Sequence, residues 1–396
     1  MESNDFVTAW ADAWKQAPTR RSVLRLFGGT AIGAALLKIG TGNVAAACKK
    51  AGATCDKKDR CCDGATCRRG KCACKQGQQA CNGVCRDLAA DSNNCGKCGF
   101  KCAEGEVCVG GFCVRAFGRP GAGEGQFNNA HGVATDGDGN IYVADTLNRR
   151  VQVFDRAGTF SRAFGAFGSQ DGEFDSPFDL AVAGNGDIYV ADTGNNRIQQ
   201  FDNAGTHIRS WGGFGRDAGQ FNSPQGIDVA GNTVVVVDTN NHRIQRFSAD
   251  GDFGRQFGRR GSGEGKFETP RGVALDASGR VYVADTFNDR VQVFTPDGKF
   301  VRTWGRRGSG RGDLHEPIGI AVDRDDNVLV VDSRNNRVQQ FTAAGKFTFA
   351  LGRVGVDLGQ FSNPAGVAVD GRGTISVADV SNTRIQQFAP SRKAAS

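Results

Sequence analysis

The sequence predicts an all-β protein, a six-bladed β-propeller preceded by a small disulfide-rich module. Two observations carry this. All 14 cysteines lie between Cys48 and Cys113, and none lies in the 283 residues that follow. Beyond them one pattern recurs six times, an apolar stretch ending in aspartate at Asp145, Asp192, Asp238, Asp285, Asp332 and Asp379, with spacings of 47, 46, 47, 47 and 47 residues. An arginine follows five residues later in every copy, at Arg150, Arg197, Arg243, Arg290, Arg337 and Arg384. A repeat of this length without a helical period inside it indicates propeller blades or solenoid coils, whose units bury their apolar faces only against neighbours.

Residues 1–47 contain "TRRSVLRLFGGTAIGAALLKIG", in which two arginines precede a short apolar run, and an Ala-x-Ala site ends at Ala47. The run from Leu26 to Leu37 is too short to span a bilayer, and Lys38 interrupts it. The stretch resembles a twin-arginine export signal. That resemblance implies a mature chain without a transmembrane segment, in the periplasm, outside the cell or at its surface. Lipidation at Cys48 is an alternative, although Ala45 stands where lipoprotein signals usually carry leucine.

An oxidising destination makes residues 48–113 readable as a disulfide module, because a small core needs such staples. The spacing of Cys48, Cys55, Cys61, Cys62, Cys67 and Cys72 resembles that of six-cysteine knottins. The resemblance implies pairs Cys48 with Cys62, Cys55 with Cys67, and Cys61 with Cys72. The remaining eight are Cys74, Cys81, Cys85, Cys95, Cys98, Cys102, Cys108 and Cys113; the stretch "CRDLAADSNNCGKCG" resembles the stigma-specific cysteine-rich family. Zinc at the Cys95-x-x-Cys98 pair competes, but a second pair with the right spacing is missing. The net charge of +7 belongs to the first 113 residues, since residues 114–396 carry 32 basic and 32 acidic side chains. A neutral domain lacks the basic field that nucleic-acid backbones require, so a nucleic-acid partner is not expected.

Each repeat holds four short apolar runs, in the first copy "GVATD", "NIYVAD", "RVQVFD" and "FSRAFG", separated by glycine-bearing turns suited to antiparallel hairpins. The last copy ends without its fourth run, whereas "FCVRAFG" at 112–118 matches that run. The ring is therefore expected to close with a strand from the N-terminal side, giving a propeller over 114–390 and a tail at 391–396. The apolar strand ending in Asp, the Asn-rich turn, the Arg and the Val/Ile-x-x-Phe strand resemble the NHL repeat over residues 112–390. The resemblance implies that the repeated Asp and Arg are structural, tying the turn between second and third strands.

Function is then expected where the copies differ. Just before each first strand one position takes the values His131, Phe178, Gln225, Arg271, Ile318 and Ala365, which should ring the channel mouth. The loops leading to it bring Arg259, Arg260, Arg306, Arg307 and Arg311 onto neighbouring blades, opposite Asp171, Glu173 and Asp175. This pattern suits an exported binding scaffold whose variable face takes a protein, glycan or small ligand, with an anionic partner steered to the arginines. A solvated rim with internal pairing is the alternative for these charges. The competing function is a metal-dependent propeller lyase or hydrolase. His131, His207, His242 and His315 fall at four different repeat positions, so no metal site, cofactor or catalytic residue is assigned. Calcium or zinc held in the channel by carboxylates and carbonyls stays open.

Overall fold

The computed structural model describes residues 66–68, 71–81 and 84–390. The export-signal resemblance, lipidation at Cys48 and the tail 391–396 lie outside the described residues. Cys67 and Cys72 are disulfide-bonded, but the knottin-like pairing involves cysteines outside the described residues.

Six antiparallel sheets form the blades. The first consists of Ala130–Thr135, Ile141–Asp145, Arg150–Phe154 and Phe160–Phe164. Its second strand is buried at every position. Ile141 and Val143 pack with Ala378 and Ile385 of the last blade, whereas Tyr142 and Ala144 pack with Leu180, Ile188 and Val190 of the next. Both faces of the strand meet apolar neighbours, which is why it reads as a continuous apolar run instead of alternating. The fourth strand alternates half-buried and exposed residues, as an outer edge should.

Closure occurs through the expected strand. The last sheet runs Pro364–Val369, Ile375–Asp379, Arg384–Pro390, Phe112–Phe117 and then Val107–Val109. Ile385 pairs with Phe117 and the register continues to Pro390 opposite Phe112. A boundary at 113/114 therefore cuts through a strand, because Phe112–Phe117 belongs to both the module and the ring. Disulfides Cys95–Cys108 and Cys102–Cys113 anchor its module side, and Cys74–Cys85 and Cys81–Cys98 staple the rest of the stigma-type segment. Cys95 and Cys98 thus sit in different disulfides, which removes the zinc alternative for that pair.

A clamp between blades went unnoticed in the sequence. Arginines on outer strands donate to a carbonyl of the next blade's hairpin: Arg115 to Arg156 O, Arg162 to Asn203 O, Arg209 to Asp250 O (3.0 Å) and Arg255 to Asp297 O (2.8 Å). In the fifth blade the position is Phe349, which packs on Phe112 with ring centroids 5.8 Å apart.

Candidate ligand-binding face

The channel and the loops around its mouth stand on a repeated polar knot. In the fourth blade, Asp285 is fully buried. Its carboxylate accepts hydrogen bonds from the Glu268 backbone N–H (2.8 Å), Asn288 Nδ2 (2.9 Å), Arg290 Nε (2.8 Å) and Gln292 Nε2 (3.0 Å). Arg290 also donates to the carbonyls of Gly263 and Lys266, and Gln292 both donates to Lys266 O and accepts from Gly265 N–H. The Asp and Arg therefore do more than tie the turn they flank; they hold the glycine-rich loop entering the blade. Asn and Gln are equal partners that sequence reasoning missed, although Gln152, Gln199, Gln245, Gln292, Gln339 and Gln386 recur two residues after each Arg. Burial pushes the Asp192, Asp285 and Asp332 carboxyls above the usual carboxylate range, with the Asn and Arg donors opposing it.

Five of the six ring residues, all but Gln225, line one chamber of about 30 Å3 at the channel mouth. They do not all precede the first strand. His131, Phe178, Gln225, Ile318 and Ala365 are second residues within it, and only Arg271 precedes its strand. Register shifts after the strand's opening residue in five blades produce the offset.

His131 stacks on Phe178 with ring centroids 4.3 Å apart. Its Nδ1 lies 3.0 Å from Asn129 O, an atom that can only accept, so Nδ1 carries the proton and Nε2 is left as an acceptor. Burial pushes the imidazole down to about 4, the Asn129 hydrogen bond opposing and the Arg271 charge adding to the effect. The ring is therefore neutral at pH 7. Arg271 lies over Phe287, 5.7 Å from its ring centroid. Its Nε is buried without a partner, and so is Oε1 of Gln225. Glu316, whose charge Arg271 feels, is held by Arg334 at 2.8 Å.

Two channel residues break the repeat and were not singled out from the sequence. The position after the ring is Gly132, Asp179, Gly226, Gly272, Gly319 and Gly366 in turn. Glycine is required by packing, because a Cβ on Gly272 would come within 2.0 Å of Ile318 O and one on Gly366 within 2.3 Å of His131 O. Two residues further along the first strand, Ala134, Ala181, Ala274, Ala321 and Ala368 share their register position with Asp228. Asp179 lines the mouth chamber, and both carboxylates line a second cavity of about 230 Å3 deeper in the channel. Asp228 accepts from Leu275 N–H at 2.7 Å, and Asp179 makes a longer 3.4 Å contact with Ile227 N–H. Burial raises Asp179 to about 7, with the Asp228 charge adding, and raises Asp228 to about 6.

The sign of the stability effect follows from these shifts. An unfolded aspartate titrates near 3.9, roughly, so the folded chain binds more protons between about pH 4 and pH 7. Asp179 therefore weighs increasingly against folding as pH rises through that window. Asp179→Gly, carrying the residue of the other five blades, should show a larger gain in melting temperature at pH 8 than at pH 4.5. A pH-independent difference would contradict the placement of this carboxylate.

Of the loop arginines, Arg260 pairs with Glu268 (3.2 Å) and Arg306 with Asp313 (2.8 Å), and Arg259, Arg260, Arg306, Arg307 and Arg311 are all exposed. The equivalent loops of other blades expose apolar side chains that the sequence reading overlooked: Phe167 (68%), Phe214 (74%), Val354 and Val356 (each 71%). One loop position, marked in every blade by a short parallel bridge, takes Pro120, Phe167, Phe214, Arg260, Arg307 and Val354. The histidines do not converge: His207 pairs with Ser210 on an outer strand, and His242 sits in a left-handed turn accepting from Thr269 N–H.

Residues 127–154, 174–201, 221–247 and 361–388 match the NHL repeat. This chain carries NHL repeats. Residues 272–351 of the NHL propeller match a family described as a 6-bladed beta-propeller, and residues 63–116 match the stigma-specific STIG1-like protein family. A 44-residue stretch is 57% identical to the B-box type zinc finger protein ncl-1 of Caenorhabditis elegans, covering 11% of this chain and 5% of that protein. The propeller is similar to virginiamycin B lyase from Staphylococcus aureus, at 16% identity and a TM-score of 0.50 over 70% of this chain and 99% of that one. It is also similar to a gluconolactonase from Xanthomonas campestris, at 15% identity and a TM-score of 0.52 over 71% and 90%. At these identities the likeness is one of fold.

Proposed function

We propose that this protein is a binding scaffold acting outside the cytosol, and that the loop face around the channel mouth takes a protein or glycan partner with anionic groups. The observation that carries the reading is the contrast between constant knots and that one variable loop position. Phe167, Phe214 and Val354 expose apolar surface there, while Arg260 and Arg307 supply charge on the two blades between. Large apolar side chains left in water beside polar ones mark interaction surfaces. The disulfides support an oxidising compartment. The equal numbers of basic and acidic groups in residues 114–396 weigh against nucleic acid.

The test is a screen of the full chain against immobilised acidic and neutral oligosaccharides and extracellular proteins, repeated with the double variant Phe167→Ser and Phe214→Ser. Partner affinity is expected to fall at least tenfold, on the order of a hot-spot loss, with an unchanged melt. Equal binding by the variant would rule this face out. A lyase or hydrolase reading has the fold alone behind it. Among the described residues the one three-membered grouping of potential metal ligands is Cys95, Cys102 and Cys113, all in disulfides.

A further inference from the structure

The mouth chamber holds two opposite charges that do not pair with each other. Arg271 stands on the fourth blade, where the other ring positions carry His, Phe, Gln, Ile and Ala. Among the described residues no hydrogen bond or ion pair reaches its guanidinium, and its Nε is shut away from water as well. Asp179 stands on the second blade, where every other copy has glycine, and lines the same chamber. A half-buried guanidinium whose Nε–H is shut away without an acceptor calls for an anion, because planar N–H groups bind carboxylates in a matched fork. A channel carboxylate calls for a cation or a strong donor. Either simple ion alone would satisfy one group and be repelled by the other.

We propose that the chamber binds the head of a small zwitterion, an α-amino carboxylate, with its carboxylate on Arg271 and its ammonium on Asp179. This assignment rests on the reading of the loop face as a binding surface and names what its central pocket takes. The chamber is small, about 30 Å3, which favours a compact head group over a ring or a sugar. Nε2 of His131 is an unprotonated acceptor on a neutral imidazole, so it adds no charge to disturb the pairing and offers a second site for an ammonium proton. Ile318, Ala365 and the Phe178 ring give apolar walls for the carbon that carries both groups. The selectivity comes from each wrong ligand leaving one half-buried charge unmatched.

The repeat supplies variants that the fold already accommodates. Blade three carries Gln225 where blade four has Arg271, and five blades carry glycine where blade two has Asp179. The experiment is a saturation-transfer NMR titration of the full chain at pH 8 with three probes of similar size: L-alanine, propionate and ethylamine. L-Alanine is expected to bind at least tenfold more tightly than either single-charge probe. Arg271→Gln should abolish that binding, and Asp179→Gly should make L-alanine and propionate equal. Failure of L-alanine to bind, or binding no tighter than propionate, overturns the assignment. So does retention of its advantage in both variants. The two readings separate cleanly. A chain that ignores L-alanine yet loses a loop-face partner in the Phe167/Phe214 variant loses only the zwitterion, and the converse pattern loses only the scaffold reading.

Discussion

Removal of residues 114–118 should replace the single unfolding transition of the propeller with a broad, early one. Those residues hold four of the six positions, Val114 to Phe117, through which the ring-closing strand pairs with Arg384–Pro390. Val114 is fully buried in the cluster that contains Leu329, Phe361 and Phe388, and Phe117 packs against Phe127 and Phe154 of the first blade. Burial of one such side chain contributes about 2 kcal/mol, so two of them with the lost ladder amount to at least ~5 kcal/mol. At about 2–4 °C per kcal/mol for a domain of this size, the midpoint should fall by at least ~10 °C. The deletion would also leave Arg384–Pro390 as an open edge, so aggregation should accompany the loss. Scanning calorimetry reads both effects. A melt equal to that of the intact chain would mean that the ring closes some other way. Cys102→Ala with Cys113→Ala tests the staple separately, since it leaves the strand in register and should cost less.

The scaffold was legible in the sequence because its determinants are residue identities repeated in phase. Asp145 and its counterparts, the arginines five residues on and the orphan run at 112–118 announced blades, knots and closure. The clamp from Arg115 to the next blade was hidden, since its partner is a carbonyl 41 residues away and a carbonyl leaves no mark in a sequence. The first strands begin two residues earlier than expected in five blades, because the irregular register after Pro177 or Pro224 starts the strand earlier than apolar spacing suggests. Asp179 and Asp228 were missed for a different reason. They stand in columns of glycines and alanines, where a single carboxylate among constant residues is a sharper departure than a column that varies in every copy. Phe167 and Phe214 read as core residues in any hydropathy count; only their place on a loop tip leaves them in water.

Asp285→Ala should be the most damaging single substitution in the knots. It removes an acceptor from Arg290, Gln292, Asn288 and the Glu268 N–H at once. Burial already raises the Asp285 carboxyl, which places the desolvation cost of this ion pair above its electrostatic gain. The pair is therefore a poor source of net stability, yet breaking it strands a guanidinium and two amides, a loss of about 3–5 kcal/mol. The midpoint should fall by about 10 °C. Arg290→Ala removes the cation from the buried Asp285 carboxylate and so is costly as well, but it should cost less, because Asp285 keeps the Glu268 N–H, Asn288 and Gln292 as donors. The double variant should cost less than the sum, with a coupling of about 1–3 kcal/mol. The consequence reaches the binding face, since the loop held by this knot carries Arg259, Arg260 and Arg271. Hydrogen exchange should accelerate across residues 258–271 in Asp285→Ala while remaining slow in Ile188–Asp192 of the second blade. Uniform acceleration throughout the ring would show instead that the knot stabilises the propeller as a whole and does not govern its own loop.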